Sequence, residues 1–157
     1  MKLLIATDGS PLSAPPVRAA VSRPWPTGSA VRVLTVVEAP FPVAPEFALA
    51  ANLAGTREAL RKEAETRVQN VRETVAKSGL SAEGSVREGN AGREIVEEAK
   101  EWGADLVLMG SHGRTGLSRV LMGSVAQYVV SHAPCSVEVV RSTEAAAEAG
   151  VTGEGRP

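Results

Sequence analysis

Five short apolar runs alternate along the chain with longer segments in which apolar residues recur every three or four positions. The runs are the predicted strands, and they lie at Lys2–Thr7, Ala30–Val37, Ala82–Glu88, Ala104–Met109 and Cys135–Arg141. The first and the fourth are almost continuously apolar, which is typical of central parallel strands that are covered on both faces. The alternation of strands and helices predicts an α/β fold with a parallel sheet.

The helical segments are recognised by their apolar periodicity. The clearest one spans Thr56–Lys77, and Gly92–Trp102 repeats the pattern over a shorter length. The first helix is predicted to run from Ser13, as its cap, to Arg23. This start places Pro15 and Pro16 in the first turn, where proline is tolerated because its missing N–H group is not needed.

Two segments lie outside this pattern. Ala39–Gly55 is rich in proline and apolar residues and is predicted to be a long variable loop. Two roles stay open for it: a lid or partner surface, or packing against its own domain. Ser142–Pro157 has almost no large apolar residue and is predicted to be a disordered tail. The folded domain is therefore expected to comprise residues 1–141.

Composition excludes several classes of protein. The chain has 157 residues, a formal net charge of -1 and no basic patch, which argues against a mainly electrostatic nucleic-acid partner. The single cysteine, Cys135, cannot form an internal disulfide. The apolar run at the N-terminus stops at Asp8, which is too short for a signal peptide, and no segment approaches the roughly 18 apolar residues of a membrane span. We expect a soluble cytoplasmic protein that binds neither nucleic acid nor membrane.

The stretch MGSHGRTGLSRVLMGS, from Met109 to Ser124, is a candidate anion site. Its first glycines allow a wide turn with exposed backbone N–H groups. Ser124 and Gln127 have the spacing of a capping box, so a helix is predicted to start at Ser124. A helix start binds anions through its orphan N–H groups and its positive dipole end. The alternative is a long turn that needs its glycines only for positive φ.

The first and fourth strands are the natural central pair of the parallel sheet, so this stretch is expected to lie beside the end of the first strand. Ligands of such sheets bind beyond the carboxyl ends of the strands, where the strand order reverses. Asp8 there can accept hydrogen bonds from ribose or adenine, hold a metal ion through water, or simply cap the turn. His112 touches phosphate or fixes the loop, and the segment from Gly89 to Ile95, capped by Asn90, either lines the site or only starts a helix. No nucleophile elbow, Cys–His triad or metal-spaced cluster is present, so no catalytic residue is assigned.

Three stretches of the chain together resemble the universal stress protein family. They are ATDGS near the N-terminus, DLVLMGSHGRTG, and RVLMGSVAQYVVSHAPCSVEVV, and the resemblance spans residues 1–141. The nucleotide-binding subgroup of that family has Gly, two residues, Gly, nine residues, then Gly followed by Ser or Thr. Here the pattern is complete at Gly110, Gly113 and Gly123-Ser124.

The resemblance implies a three-layer α/β sandwich with a five-stranded parallel sheet in the order 3-2-1-4-5, Rossmann-like and similar to the adenine nucleotide alpha hydrolases. It also implies ATP, or another adenine nucleotide, with Mg²⁺ or Mn²⁺ bridging the phosphates and few or no metal ligands from the protein. The residues that it assigns to the nucleotide are Ala6, Thr7 and Asp8 (adenine and ribose), Val36 (adenine, through its backbone), Met109 and Gly110 (ribose), and Gly113, Arg114, Thr115, Gly116, Gly123, Ser124 and Val125 (phosphate loop and helix start). The chain departs from several relatives in having Ala6 in place of proline.

Members of the family commonly form homodimers through the last strand. The segment SVEVV after Pro134 would be an exposed edge strand unless it is paired. Two-fold antiparallel pairing with a second copy would supply partners for its free backbone N–H and C=O groups. The alternative is a monomer whose tail folds back over the edge.

We therefore expect an ATP-binding regulatory protein of the stress response whose occupancy changes a surface read by a protein partner. Hydrolysis is expected to be slow or partner-dependent, because no general base is visible beside the phosphate loop. Two alternatives stay open, namely an enzyme of the ATPase or adenylyl-transfer type and an interaction module that works without ATP. The intact Gly123-Ser124 pair argues against the second.

Overall fold

The computed structural model of the protein describes residues 1–9, 13–38, 50–111 and 122–141. Strands and helices alternate through these residues as the apolar pattern predicts. The elements are β1 (Lys2–Ala6), α1 (Ala14–Ser22), β2 (Ala30–Val37), α2 (Ala50–Ala76), β3 (Ser81–Glu88), α3 (Ala91–Trp102), β4 (Leu106–Gly110), α4 (Ser124–His132) and β5 (Ser136–Val140). No helix in these residues is long and apolar enough to cross a membrane.

The described strands form one five-stranded parallel sheet in the order β3-β2-β1-β4-β5. This confirms the predicted fold class and strand order. β1 lies at the centre, where Leu4 is in register with Arg32 of β2 and with Val107 of β4. Because all strands run the same way, their carboxyl ends meet at one edge of the sheet.

Helices cover the two faces of the sheet. Alternate residues of β1 point to opposite faces, so Leu3 and Ile5 belong to a buried cluster with residues of α1 and α2. Leu4 and Ala6 belong to a second cluster with residues of α3 and α4. Burial on both faces explains why the sequence of this strand is continuously apolar.

The N-terminal ends of the first two helices differ in how well the sequence predicts them. Ser13 is the N-cap residue of α1 and the two prolines lie in its first turn, as predicted. Helix α2 begins at Ala50 instead of Thr56, so the last residues of the predicted loop are helical. This part of the prediction was wrong because Gly55 was taken as a boundary, whereas a long helix tolerates an isolated glycine at a cost of about 1 kcal/mol. Residues 39–49 of that loop and the predicted tail lie outside the described residues.

Helix α2 approaches β3 closely enough to require a residue without a side chain beneath it. A Cβ atom at Gly84 would overlap Cγ1 of Val68, a buried residue of α2. The glycine therefore lets α2 settle over β2 and β3, which places the first half of the helix beside the carboxyl edge of the sheet.

Candidate functional site

A cavity of about 420 Å³ lies beyond the carboxyl ends of β1, β2 and β4. This volume is in the range of about 300–1,000 Å³ that is usual for small-molecule sites. Its wall is formed by the ends of these strands and by residues of α2, α3 and α4. All of the predicted nucleotide-contacting residues that the structure describes line it, namely Ala6, Thr7, Asp8, Val36, Met109, Gly110, Gly123, Ser124 and Val125. The other predicted residues, Gly113, Arg114, Thr115 and Gly116, lie outside the described residues, as does His112.

The turn after β1 is held by a set of hydrogen bonds around Thr7. The Thr7 N–H group donates to the carbonyl of Leu34 at 2.9 Å, and its own carbonyl accepts from the Thr35 hydroxyl at 3.0 Å. The Thr7 hydroxyl accepts from the N–H group of Gly9 at 3.1 Å. Thr7 and Thr35 are buried, so these bonds are shielded from water and fix the backbone that carries Asp8.

Asp8 holds the turn after β1 and also lies on the cavity wall. Its Oδ1 accepts a hydrogen bond from the Ser13 hydroxyl at 2.6 Å, which ties the turn to the first residue before α1. The same residue lines the cavity. The Ser13 hydroxyl is used in this way and makes no cap bond to the helix, although Ser13 occupies the N-cap position.

The loop between β4 and α4 is closed at its base. The N–H group of Gly123 donates to the carbonyl of Ser111 at 2.8 Å, and the N–H group of Ser111 donates to Val140 of β5 at 3.3 Å. The chain therefore leaves the sheet and returns to α4 at the same point. As a result Gly110 and Gly123, which are distant in sequence, lie on one cavity wall.

Helix α4 presents an uncapped N-terminus to the cavity. It begins at Ser124 as predicted, but the predicted capping box is wrong, because the N-cap residue is Gly123, which has no side chain to accept a cap bond. The Gln127 N–H group bonds to the Gly123 carbonyl instead of to Ser124. The first turn has no acidic residue, so its orphan N–H groups keep their positive potential.

Helix α3 also borders the cavity, through Ala91 and Ile95, but its N-terminus is already neutralised. Asn90 caps it by accepting from the N–H group of Arg93 at 3.1 Å, as predicted, and Glu94 lies in its first turn. Of these two helix starts, only that of α4 is suited to an external anion.

Sequence reasoning did not identify the contribution of α2. Leu60, Ala64 and Arg67 line the cavity. Their spacing places them on one face of the helix. No sequence pattern shows that this face of α2 borders a cavity, because that depends on how α2 packs against the sheet.

The described wall is mostly apolar and carries few charges. Apolar residues from four elements, Leu34, Val36, Leu60, Ala64, Ile95 and Met109, make a surface suited to a flat base. The charged residues on the described wall are Asp8, Glu38 and Arg67. In the part of the chain that the structure describes, no group of three or more His, Cys, Asp or Glu residues is arranged to hold a metal ion.

Comparison with known proteins assigns the family. The model of the universal stress protein family matches residues 1–141. The chain is 34% identical over 142 residues to the universal stress protein MJ0531 of Methanocaldococcus jannaschii, which covers 89% of this chain and 81% of that protein. It is 42% identical over 79 residues to the universal stress protein Sll1388 of Synechocystis, a match that covers 50% of this chain and about half, 51%, of that relative. The chain belongs to the universal stress protein family, as its motifs indicated.

Solved structures share the fold. The protein MJ0577 of Methanocaldococcus jannaschii has a TM-score of 0.78 at 25% identity, with 90% of this chain and 95% of that chain covered. The universal stress protein of Archaeoglobus fulgidus in complex with dAMP has a TM-score of 0.62 at 20% identity, covering 90% of this chain and 98% of that one. A family member from Arabidopsis thaliana with AMP bound has a TM-score of 0.67 at 16% identity, covering 92% and 94%. The last two likenesses concern the fold alone.

Proposed function

We propose that this protein is an ATP-binding regulatory protein of the stress response, with little or no ATPase activity of its own. One observation carries the proposal. A single cavity combines an apolar wall, the carboxylate of Asp8 and the uncapped N-terminus of α4. These features match the base, the ribose hydroxyls and the phosphates of a nucleotide in turn.

The proposed contacts follow from the positions of the residues along the wall. Adenine and ribose lie against the ends of β1 and β2, where Asp8 accepts from ribose and Val36 offers its backbone. Met109 and Gly110 lie along the ribose. The phosphates lie on Gly123, Ser124 and Val125, together with Gly113, Arg114, Thr115 and Gly116 of the adjoining loop.

A divalent cation, Mg²⁺ or Mn²⁺, is proposed to bridge the phosphates. The described wall fits a cation held mainly by phosphate oxygens and water, because it has no cluster of three potential ligands. The cation would neutralise phosphate charge, and the protein side chains would bind and orient the nucleotide.

Membership of the universal stress protein family supports this function, and two proteins of the same fold hold AMP or dAMP. Slow hydrolysis is proposed because the sequence offers no general base beside the glycine loop. We propose a cytoplasmic location as part of this function.

Calorimetric titration of nucleotide-free protein with Mg-ATP, AMP and adenosine tests the proposal. We expect ATP to bind at least about tenfold more tightly than AMP, because the start of α4 adds its interaction to each further phosphate. Equal affinities for ATP and AMP would contradict phosphate recognition and leave AMP as the candidate signal. Absence of binding by all three ligands would overturn the proposed function.

We also propose a homodimer formed through β5. This strand ends the sheet, and its pairing in the described residues is with β4 alone. Val137, Val139 and Val140 are only half-buried. The carbonyl of Val140 accepts from the N–H group of Ser111, beside β4. Successive residues of a strand direct their backbone N–H and C=O groups to opposite sides, so the N–H group of Val139 points to the open edge.

The proposed dimer predicts that Val139→Pro yields a monomer in sedimentation velocity experiments, whereas the unmodified protein sediments as a dimer at micromolar concentration. Proline removes the outward N–H group while the bonds to β4 are retained, a substitution that edge strands tolerate. Val139→Ala is the control, since it shortens the side chain and keeps the N–H group. A dimeric proline variant, or an unmodified protein that sediments as a monomer, would rule out pairing through β5.

A further inference from the structure

Arg67 lies on the cavity wall although no motif marks it. It continues the face of α2 that brings Leu60 and Ala64 to the cavity. Its side chain is 23% exposed, which is low for an arginine on the outer helix of a three-layer fold. The aliphatic part of the side chain is thus packed, and the guanidinium group lies at the end of this packed stem.

The turn that carries Asp8 is the surface on which Arg67 packs. A Cβ atom at Gly9 would overlap Cδ of Arg67 and would lie 2.7 Å from its Nε. Gly9 also has a φ of 73°, which a residue with a side chain adopts at a cost. Gly9 is therefore required by both its backbone and its neighbour, and the arginine stem lies directly on the residue after Asp8.

Arg67 carries a charge opposite to that of the other charged residues on the described wall. Among the cavity-lining residues that the structure describes, Arg67 is the only cation, while Asp8 and Glu38 are anionic. Two carboxylates alone would repel a nucleotide that carries several negative charges, and a guanidinium in a partly desolvated wall offsets this repulsion.

The ion pair of Arg67 leaves it able to bind a ligand. Its Nη2 atom contacts Glu63, one helical turn earlier, whose side chain is 56% exposed. This bond uses one of the five N–H donors of the guanidinium group, and its exposure to water makes it weak. By contrast, Arg61 of the same helix contacts Glu65 and Glu88 and is not among the lining residues that the structure describes.

We propose that Arg67 is a ligand-binding residue, which contacts the bound nucleotide from the α2 side beside Asp8 and makes the cavity selective for phosphorylated ligands over the nucleoside. This inference rests on the proposed nucleotide-binding function and adds to it a specificity-determining residue outside the glycine motif. The positive charge is the property that matters, and the stem over Gly9 holds the charge in place.

The test compares Arg67→Met with Arg61→Met in titrations with Mg-ATP and adenosine. Methionine keeps an unbranched stem over Gly9 and removes the charge. We expect Arg67→Met to weaken ATP binding by about tenfold and adenosine binding by less than about twofold, with Arg61→Met close to the unmodified protein for both. Arg67→Lys, which restores the charge, should recover ATP binding to within about threefold. Thermal denaturation should place every variant within about 3 °C of the unmodified protein.

The outcomes separate this inference from the function on which it rests. If the unmodified protein binds ATP and Arg67→Met binds it equally well, Arg67 is structural and the inference alone is wrong. Equal losses for ATP and adenosine, or an equal loss in Arg61→Met, would also overturn it, because they would indicate a general effect on the cavity or on surface charge. Failure of the unmodified protein to bind any of these ligands would overturn both proposals.

Discussion

Substitution of Ser124 by aspartate is expected to abolish most ATP binding while the protein stays fully folded. Ser124 is the exposed first residue of α4, and the first turn of this helix contains no acidic residue. An aspartate there interacts favourably with the helix dipole, which should raise stability by about 0.3–1 kcal/mol. Its carboxylate would occupy the anion site and repel the phosphates, so ATP affinity should fall about a hundredfold, or about 2.8 kcal/mol.

The design of this variant separates binding from folding. Ser124→Asn has nearly the same size without the charge and should bind ATP within about threefold of the unmodified protein. Adenosine should bind equally to all three proteins, since it lacks phosphates. Calorimetric titration measures the affinities and thermal denaturation the stability. Retention of tight ATP binding by the aspartate variant would remove the start of α4 from the phosphate site.

Substitution of Glu98 by alanine is expected to cost about 2–3 kcal/mol of unfolding free energy. The Glu98 side chain is only 6% exposed and accepts hydrogen bonds from Arg32 and Arg87, each at 2.8 Å. Its removal leaves both guanidinium groups short of a partner in a partly buried position. The cost stays below that of a fully buried pair because Arg87 retains Glu94 and Glu101.

Glu101→Ala is the matched control in urea denaturation. Glu101 contacts the same arginine at 2.9 Å, but its side chain is 62% exposed, so its loss should cost less than about 0.5 kcal/mol. Equal effects of the two substitutions would contradict the view that burial makes Glu98 the structural centre of this network.

The same network should make stability depend on pH. Burial alone would raise the pKa of Glu98, but the hydrogen bonds from Arg87 and Arg32 outweigh it, and the pKa lies below its usual value. A pKa that is lower in the folded than in the unfolded state contributes stability above the unfolded value, and this contribution is lost as the pH falls through the folded value. The advantage of the unmodified protein over Glu98→Gln should therefore shrink on acidification below about pH 4.

The candidate site shows which parts could be recognised from sequence. Gly110, Gly123 and Ser124 were predicted from glycine spacing and a helix start, which are local features, and the structure brings them to one wall. The capping box predicted at Ser124 was wrong because the residue spacing alone does not fix which residue caps α4. Whether Ser124 or Gly123 caps the helix depends on backbone angles, and Gly123, at φ -60° and ψ 152°, takes the extended cap conformation.

The sequence by itself determined the order of strands and helices and the position of the glycine motif, because apolar periodicity and turn chemistry act over a few residues. The family followed from the resemblance of three stretches of the chain to known members. The tertiary structure alone decided the pairing of Ser111 with Gly123, the packing of Arg67 on Gly9 and the burial of Glu98 between Arg32 and Arg87. These contacts join residues on different strands, helices and turns. They depend on how closely each helix packs against the sheet, and no local pattern records that distance.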